Sequence, residues 1–251
     1  MKRLLLILFI GTCFTASAQK PGKERVPSYF GFRVAPVFPT RFIGSPNTYL
    51  EEDGWYTDLN QMLGYSFGGT VRAGVKKLIA IETGINFTQR QFSLETGVPD
   101  SNSYAYDTLS FIEYDMPINA LFYIQLSEKI YADAALGVTV TYKPTDIGVL
   151  NQPGGKFLYQ HTGLVMRRTS FDFNANLGFE YRTEKKGFFY IGGAARVPIS
   201  PLISLIAEYK YDGHYQRLIG DVDGSFLSLE FKYFFPNIKN KGQQFNEGPI
   251  Q

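Results

Sequence analysis

The stretch Ser170-Phe-Asp-Phe-Asn-Ala-Asn-Leu-Gly-Phe-Glu-Tyr-Arg182 decides the fold. Phe171, Phe173, Ala175, Leu177, Phe179 and Tyr181 occupy every second position, and Ser170, Asp172, Asn174, Asn176, Gly178, Glu180 and Arg182 the positions between. A period of two is the signature of a β-strand, whose successive side chains point to opposite faces. A strand that crosses a bilayer turns its apolar face to lipid and its small, polar or charged face to an enclosed lumen. A solvated sheet face in a soluble protein shows alternation too, so the rest of the chain has to decide.

The same alternation recurs in Tyr29 to Phe38, Leu63 to Val75, Leu78 to Phe92, Thr108 to Leu126, Ile130 to Tyr142, Phe188 to Val197 and Ser225 to Phe235. With the first stretch these predict eight strands, an even number, as in bacterial barrels. Short connections (Lys76-Lys77, Ser127 to Lys129, Thr183 to Gly187) alternate with long ones (Pro39 to Met62, Ser93 to Asp107, Lys143 to Thr169, Pro198 to Gly224). Outer-membrane barrels keep short turns on the periplasmic side and long loops outside, so a periplasmic N-terminus places every short turn correctly. Aromatics gather at the periplasmic strand ends: Tyr29 and Phe30, Phe122 and Tyr123, Tyr131, Phe179 and Tyr181, Phe188 to Tyr190, and Tyr233 to Phe235. They are expected to form an interfacial girdle. The expected fold is all-β, an up-and-down antiparallel transmembrane β-barrel of about eight strands.

Ile203 to Tyr211 also alternates and continues the parity of Phe188 to Val197 through Pro198-Ile199-Ser200-Pro201. It is expected to extend the seventh strand above the membrane, the prolines marking an edge or bulge; ten strands are the alternative. A soluble lipocalin-like barrel is the structural rival, with the opposite parity. The aromatic girdle and the loop asymmetry favour the membrane reading.

Met1 to Ala18 reads as a secretory signal: Lys2 and Arg3, then apolar Leu4 to Ile10, then Ala16-Ser17-Ala18 as the cleavage site, with Gln19 the expected first mature residue. The domain organisation expected is signal 1–18, barrel 19–235 and polar tail 236–251. Its apolar run is far shorter than the ~20 residues of a spanning helix, which leaves a closed barrel as the route through a membrane. Cys13, the sole cysteine, falls inside the signal, so no disulfide is expected; a lipidated Cys13 is the alternative, although Thr12 suits such a site poorly. The formal charge of +2 falls to balance once Lys2 and Arg3 are removed, which argues against a nucleic-acid partner.

On the expected inner face Arg33, Arg72, Arg90, Arg182, Arg196 and Lys232 are interspersed with Glu82, Glu113, Asp115, Asp133, Asp172, Glu180 and Glu230. An eight-stranded barrel is about wide enough for side chains to fill, so a sealed, ion-paired core is expected, with a narrow conduit or ligand slot as the sharper option. His161 and His214 fall in expected outer loops, solvated and outside any triad spacing. Glu51, Glu52, Asp53 and Asp58 form an acidic loop patch that suits hard cations chemically but matches no EF-hand spacing. Trp55, Tyr56 and Tyr49 form either a contact surface or the loop's own packing. Gly68-Gly69, Gly154-Gly155 and Gly192-Gly193 lack the lysine of a phosphate loop and are expected to allow close packing or bends. No catalytic, cofactor or metal residues are expected.

Ile112-Glu-Tyr-Asp-Met-Pro-Ile-Asn-Ala-Leu-Phe-Tyr-Ile124 resembles the tyrosine, acid, isoleucine-proline, leucine strand of the porin-like outer-membrane β-barrel family of Bacteroidota that includes the PorT proteins. Phe226-Leu-Ser-Leu-Glu-Phe-Lys-Tyr-Phe-Phe235 is similar to that family's closing strand, and Phe231, Tyr233 and Phe235 look like the aromatic signal read by the barrel-assembly machinery. The family's barrels often end at that residue, whereas this chain continues. The resemblance implies an outer-membrane location and contact with outer-membrane lipids and lipopolysaccharide. The expected role is a non-enzymatic scaffold for binding through outer loops or for assembly with an envelope protein. The alternatives are a small channel or uptake porin, and a lipid-modifying enzyme.

Overall fold

The computed structural model describes residues 28–76, 79–153, 157–183 and 186–236. The expected signal with Cys13 and Gln19, the turn residue Lys77, Gly154-Gly155 and the tail from residue 237 lie outside the described residues. Among the described residues there are fourteen strands: β1 (Tyr29–Pro39), β2 (Asn47–Glu52), β3 (Trp55–Gln61), β4 (Gly64–Lys76), β5 (Ile79–Val98), β6 (Ser103–Gln125), β7 (Ile130–Tyr142), β8 (Ile147–Asn151), β9 (Leu158–Leu164), β10 (Thr169–Arg182), β11 (Phe188–Pro198), β12 (Ile203–Tyr211), β13 (His214–Val222) and β14 (Phe226–Phe234).

Eight of them close a ring in the order β1-β4-β5-β6-β7-β10-β11-β14, each neighbour antiparallel, with β14 returning to β1. The eight expected membrane strands are these eight. Six match their expected limits to within one residue, and β5 and β6 run further outward. The parity holds: Phe171, Phe173, Leu177 and Phe179 face outward, while Ser170, Asp172, Asn176 and Glu180 are buried inside. Among the described residues no helix is long and apolar enough to cross a membrane.

The four connections expected as outer loops are built of strands. Ser93 to Asp107 is the upper part of β5 and β6, and Pro39 to Met62 forms the β2–β3 hairpin, which pairs on from Gln61↔Phe92 to Tyr56↔Gly97. Lys143 to Thr169 forms β8–β9, and Pro198 to Gly224 forms β12–β13; these make a second sheet in the order β13-β12-β9-β8. Neither expectation for Ile203 to Tyr211 survives, because this segment pairs with β9 and β13 and with no barrel strand. Pro198 and Pro201 bracket the break between β11 and β12, where ladder hydrogen bonds cannot run on.

The two sheets face each other above the barrel as an outer head with an apolar core. Leu59, Phe92, Leu94, Leu109 and Phe111 of one sheet meet Leu202, Ile203, Leu205 and Val222 of the other side. Further out Trp55 and Ala105 meet Tyr159, Ala207, Tyr209 and Leu218. The edges close as well, since β13 packs on β2 and β8 on upper β6; a Cβ on Gly220 would lie 2.6 Å from Leu50 Cδ2.

Two strands therefore pass through both compartments and invert their polarity without changing parity. Along β5 the inner face reads Glu82, Asn86, Thr88, Arg90 and then Phe92, Leu94. Along β6 it reads Asp115, Glu113 and then Phe111, Leu109. The outer face of β5 changes at the same level, from Ile81, Ile85 and Phe87 to Gln89, Gln91, Ser93 and Glu95. The surrounding solvent explains both changes, since lipid wants an apolar exterior and water a polar one.

Leu205 is fully buried in the head core, and Leu205→Ala is expected to cost the head about 2–5 kcal/mol. In detergent the variant should be nicked within the head by protease levels that spare the wild type, while its heat-modifiable barrel band stays. Loss of both together would show that head and barrel fold as one unit.

Candidate functional site

The lumen is the first candidate, because all the charges expected there point into it, buried except for Arg182, whose side chain is 14% exposed. Arg72 from β4 is the hub of the half nearer the short turns. Its Nη2 and Nε donate to Glu82 Oε2 at 2.6 and 3.0 Å, and its Nη1 donates to Glu180. Arg182 pairs with the other oxygen of Glu180 at 2.9 Å. Lys232 Nζ bridges Glu82 at 2.5 Å and Glu230 at 3.0 Å, and Arg33 Nε reaches Glu230 at 2.8 Å while its Nη1 donates to Ser66 Oγ at 2.8 Å. Each carboxylate in this chain serves two cations, which is how several charges share a low-dielectric space at tolerable cost.

A second network fills the outer half. Arg196 Nη1 lies 2.7 Å from Asp115 Oδ2, and Thr88 Oγ1 donates to the same oxygen at 2.5 Å. The Thr141 hydroxyl lies 3.0 Å from both Asp115 and Asp172, joining them. Above it Arg90 Nη1 donates to Gly224 O at 2.7 Å and Lys143 Nζ to Leu202 O at 2.9 Å. These two cations tie the lumen to the backbone of the head. Lys143 was expected in a loop, and only the fold shows it buried. Counting Lys143, the lumen's cations and carboxylates are equal in number within each half.

Both ends of the lumen are closed. At the short-turn end Tyr123, Tyr131, Phe188, Tyr190 and Phe234 are buried and face inward. Phe188 and Phe234 stack at 4.4 Å, Arg72 sits 4.4 Å from the Phe234 ring and Arg182 4.0 Å from that of Tyr131. Cation–π contact adds to the ion pairs in this plug. The expected girdle is thereby corrected: Phe30, Phe122, Phe179, Tyr181, Phe189, Tyr233 and Phe235 do face outward, but these five form an internal plug. Their parity matches that of the lumen charges, a signal that strand-end position obscures. Gly178 and Gly192 make room for the plug, since a Cβ on Gly178 would meet the Tyr190 ring at 2.5 Å. At the outer end Phe226 lies 5.1 Å from both Arg90 and Arg196, beneath the apolar head. Between the ends, a polar cavity lined by Asn86, Asn119, Asn174 and Asn176 has about 30 Å³ of room for water, enough for one or two molecules.

The head holds the remaining candidates. His161 of β9 is buried, not solvated as expected, and its nearest polar partner is Thr57 Oγ1 at 3.4 Å from Nε2. Burial pushes its pKa down to about 4, against a small opposing pull from Asp107. His214 is exposed at the start of β13. Glu51, Glu52 and Asp53 are exposed at the β2–β3 tip, Asp53 accepts from Gln216 Nε2 at 3.0 Å, and Asp58 accepts from Asn60 at 2.8 Å. Among the described residues no group of His, Cys, Asp or Glu is arranged to hold a metal ion. Trp55 is buried against Tyr209 at 5.6 Å and packs the head on itself, whereas Tyr49 stacks on Tyr56 at 5.8 Å and stays 53% exposed.

Arg72→Ala removes the cation from two buried carboxylates and is expected to destabilise the barrel by about 3–5 kcal/mol. The temperature at which the folded gel band disappears should fall, and adding Glu180→Gln should recover part of the loss. His161 generates a pH dependence. Its unfolded form binds a proton below about 6.5 and its buried form only near 4, so head stability falls as pH drops through that window, by up to about 3 kcal/mol. Protease resistance of the head measured from pH 7 to 4 should decline in the wild type and stay flatter in His161→Phe.

No family model matches the chain, and no curated protein matches it. Among solved structures, the crystal structure of the outer membrane protein OprG from Pseudomonas aeruginosa aligns with a TM-score of 0.53 at 13% identity, covering 85% of this chain and 98% of that one. The NMR solution structure of outer membrane protein W from E. coli aligns with a TM-score of 0.33 at 15% identity, covering 83% and 98%. At this identity the likeness to OprG is one of fold. The chain has the eight-stranded, antiparallel, up-and-down fold of an outer-membrane β-barrel.

Proposed function

We propose that the protein is an integral outer-membrane barrel acting as a non-enzymatic scaffold, its lumen sealed and its function carried by the outer head in binding or envelope assembly. The single observation that carries this reading is the closure of the lumen by ion pairs, by the aromatic plug below and by the apolar head above. Opening a conduit would strip partners from buried charges at several kcal/mol each. The apolar outward belt supports the membrane setting: Phe32, Ile85, Leu136, Phe173, Leu177 and Ile191 are each about half exposed or more. Its neighbours there would be outer-membrane lipids and lipopolysaccharide, after insertion by the barrel-assembly machinery. A rigid two-sheet head held by β5 and β6 is a platform of the kind on which binding usually sits. His161 has the Thr57 hydroxyl at 3.4 Å, which is engaged at 2.6 Å with Thr96, and among the described residues no acid stands at hydrogen-bond distance to complete a catalytic set.

The test is reconstitution of the full chain into planar bilayers. Silence at all voltages, together with a heat-modifiable band in the outer-membrane fraction of the host, is the expected result. Stable ohmic steps from the same preparation would overturn the sealed-scaffold reading in favour of a channel.

A further inference from the structure

Charge on the outer half of the molecule is segregated by height. The described residues of the head, within 45–61, 92–110, 144–164 and 202–224, carry twelve carboxylates against two cations, Lys210 and Arg217, and Arg217 is already paired with Glu208. Just below, the connections between barrel and head show the reverse. Residues 40–44, 62–63, 165–168 and 199–201 include Arg41, Arg167 and Arg168 and no carboxylate. All three arginines are exposed, and among the described residues none has an ion-pair partner. The two nearby acids are engaged elsewhere, Asp223 with the backbone N–H of Ser45 and Ser225, and Asp146 with that of Val165.

The same connections expose large apolar side chains: Phe42 at 88%, Met166 at 69% and Ile199 at 59%. Phe42 adjoins Arg41 in sequence, and Met166 adjoins Arg167. Ile199 is tied to β10 by its N–H donating to Phe171 O at 3.0 Å. Beneath them the outward belt begins with Phe171, Phe173, Val197 and Phe38. Guanidinium groups beside apolar side chains, at the level where lipid gives way to water, match one kind of molecule: an anion attached to acyl chains. Arginine binds phosphate with paired hydrogen bonds, and apolar neighbours at the interface keep it from full hydration.

We propose that this collar, over the arc β10-β11-β14-β1, is a docking site for the phosphorylated headgroup of an outer-leaflet lipid, with Arg167 and Arg168 at one flank and Arg41 at the other. The proposal rests on the outer-membrane reading above. The acidic head then stands clear of the anionic leaflet while the collar is held to it, which sets the depth of the barrel in the membrane.

The test uses the folded full chain in neutral detergent, titrated with bisphosphorylated lipid A and followed by native mass spectrometry. Dephosphorylated lipid A and inorganic phosphate are the comparison probes. The wild type should bind the phosphorylated lipid at least tenfold more tightly than the dephosphorylated one and show no comparable binding of inorganic phosphate. The variant Arg41→Gln/Arg167→Gln/Arg168→Gln should bind the phosphorylated lipid roughly a hundredfold more weakly. Equal affinity for both lipids, or an unchanged affinity in the folded variant, overturns the collar. Equally tight inorganic phosphate makes it a soluble-anion site and overturns the lipid proposal. The wild-type comparison decides even where the variant fails to fold. Absence of a heat-modifiable band from the wild type would instead defeat the barrel reading itself.

Discussion

The pairing of β14 with β1 is the contact on which the rest depends. It runs from Gly31↔Phe234 to Pro39↔Phe226 and turns a sheet with two open edges into a ring. In hydrocarbon an unpaired backbone group costs several kcal/mol, so an open edge of this length would not persist in a bilayer. The seam is held by side chains as well, because Arg33 of β1 meets Glu230 of β14 across it. Phe235 N also donates to Phe30 O at 2.9 Å below the last ladder pair. Pairing lapses opposite Ala35 and Pro36, where proline has no N–H to give.

Closure at eight strands makes a lumen that side chains fill, and filling it with charge imposes a second constraint. Buried ions must find counter-ions or hydrogen-bond partners inside, since no bulk water remains to solvate them. The two networks meet much of that demand separately, one around Arg72 and Glu180 and the other around Arg196 and Asp115, while Arg90 and Lys143 bond backbone carbonyls. Hydroxyl and amide side chains lie between them, such as Thr139 donating to Asn174 at 3.0 Å. The result is a rod with charged but neutralised filling, stiff enough to carry what stands on it.

What stands on it is made by letting two strands outgrow the membrane. Beyond Arg90 and Glu113 the inner face turns apolar, and the β2–β3 hairpin and the second sheet complete a dry core around it. The carriers of barrel and head are thus the same backbone, with Arg90 and Lys143 bonding the junction. Movement of the head relative to the barrel would break hydrogen bonds of buried cations, so the two parts are mechanically coupled.

The alternation of Ser170 to Arg182 and its seven counterparts was legible because the bilayer imposes one rule, apolar out and polar in, on every residue of a spanning strand. That rule located the eight strands and named every charge in the lumen except Lys143. It failed where its cause ends. Above the membrane Phe92 and Leu94 turn inward and Glu95 outward, so a strand continuing in unbroken parity reads as a loop. Tyr123, Phe188 and Phe234 stand at the height of a girdle yet on the parity of a plug, and only packing around Arg72 shows the second to be decisive. Pairing was decided by tertiary structure alone: Arg33 with Glu230, Lys232 with Glu82, β12 with β9. Periodicity records which face a side chain occupies, whereas partners across the lumen or between sheets depend on ring order and register, which local sequence does not carry.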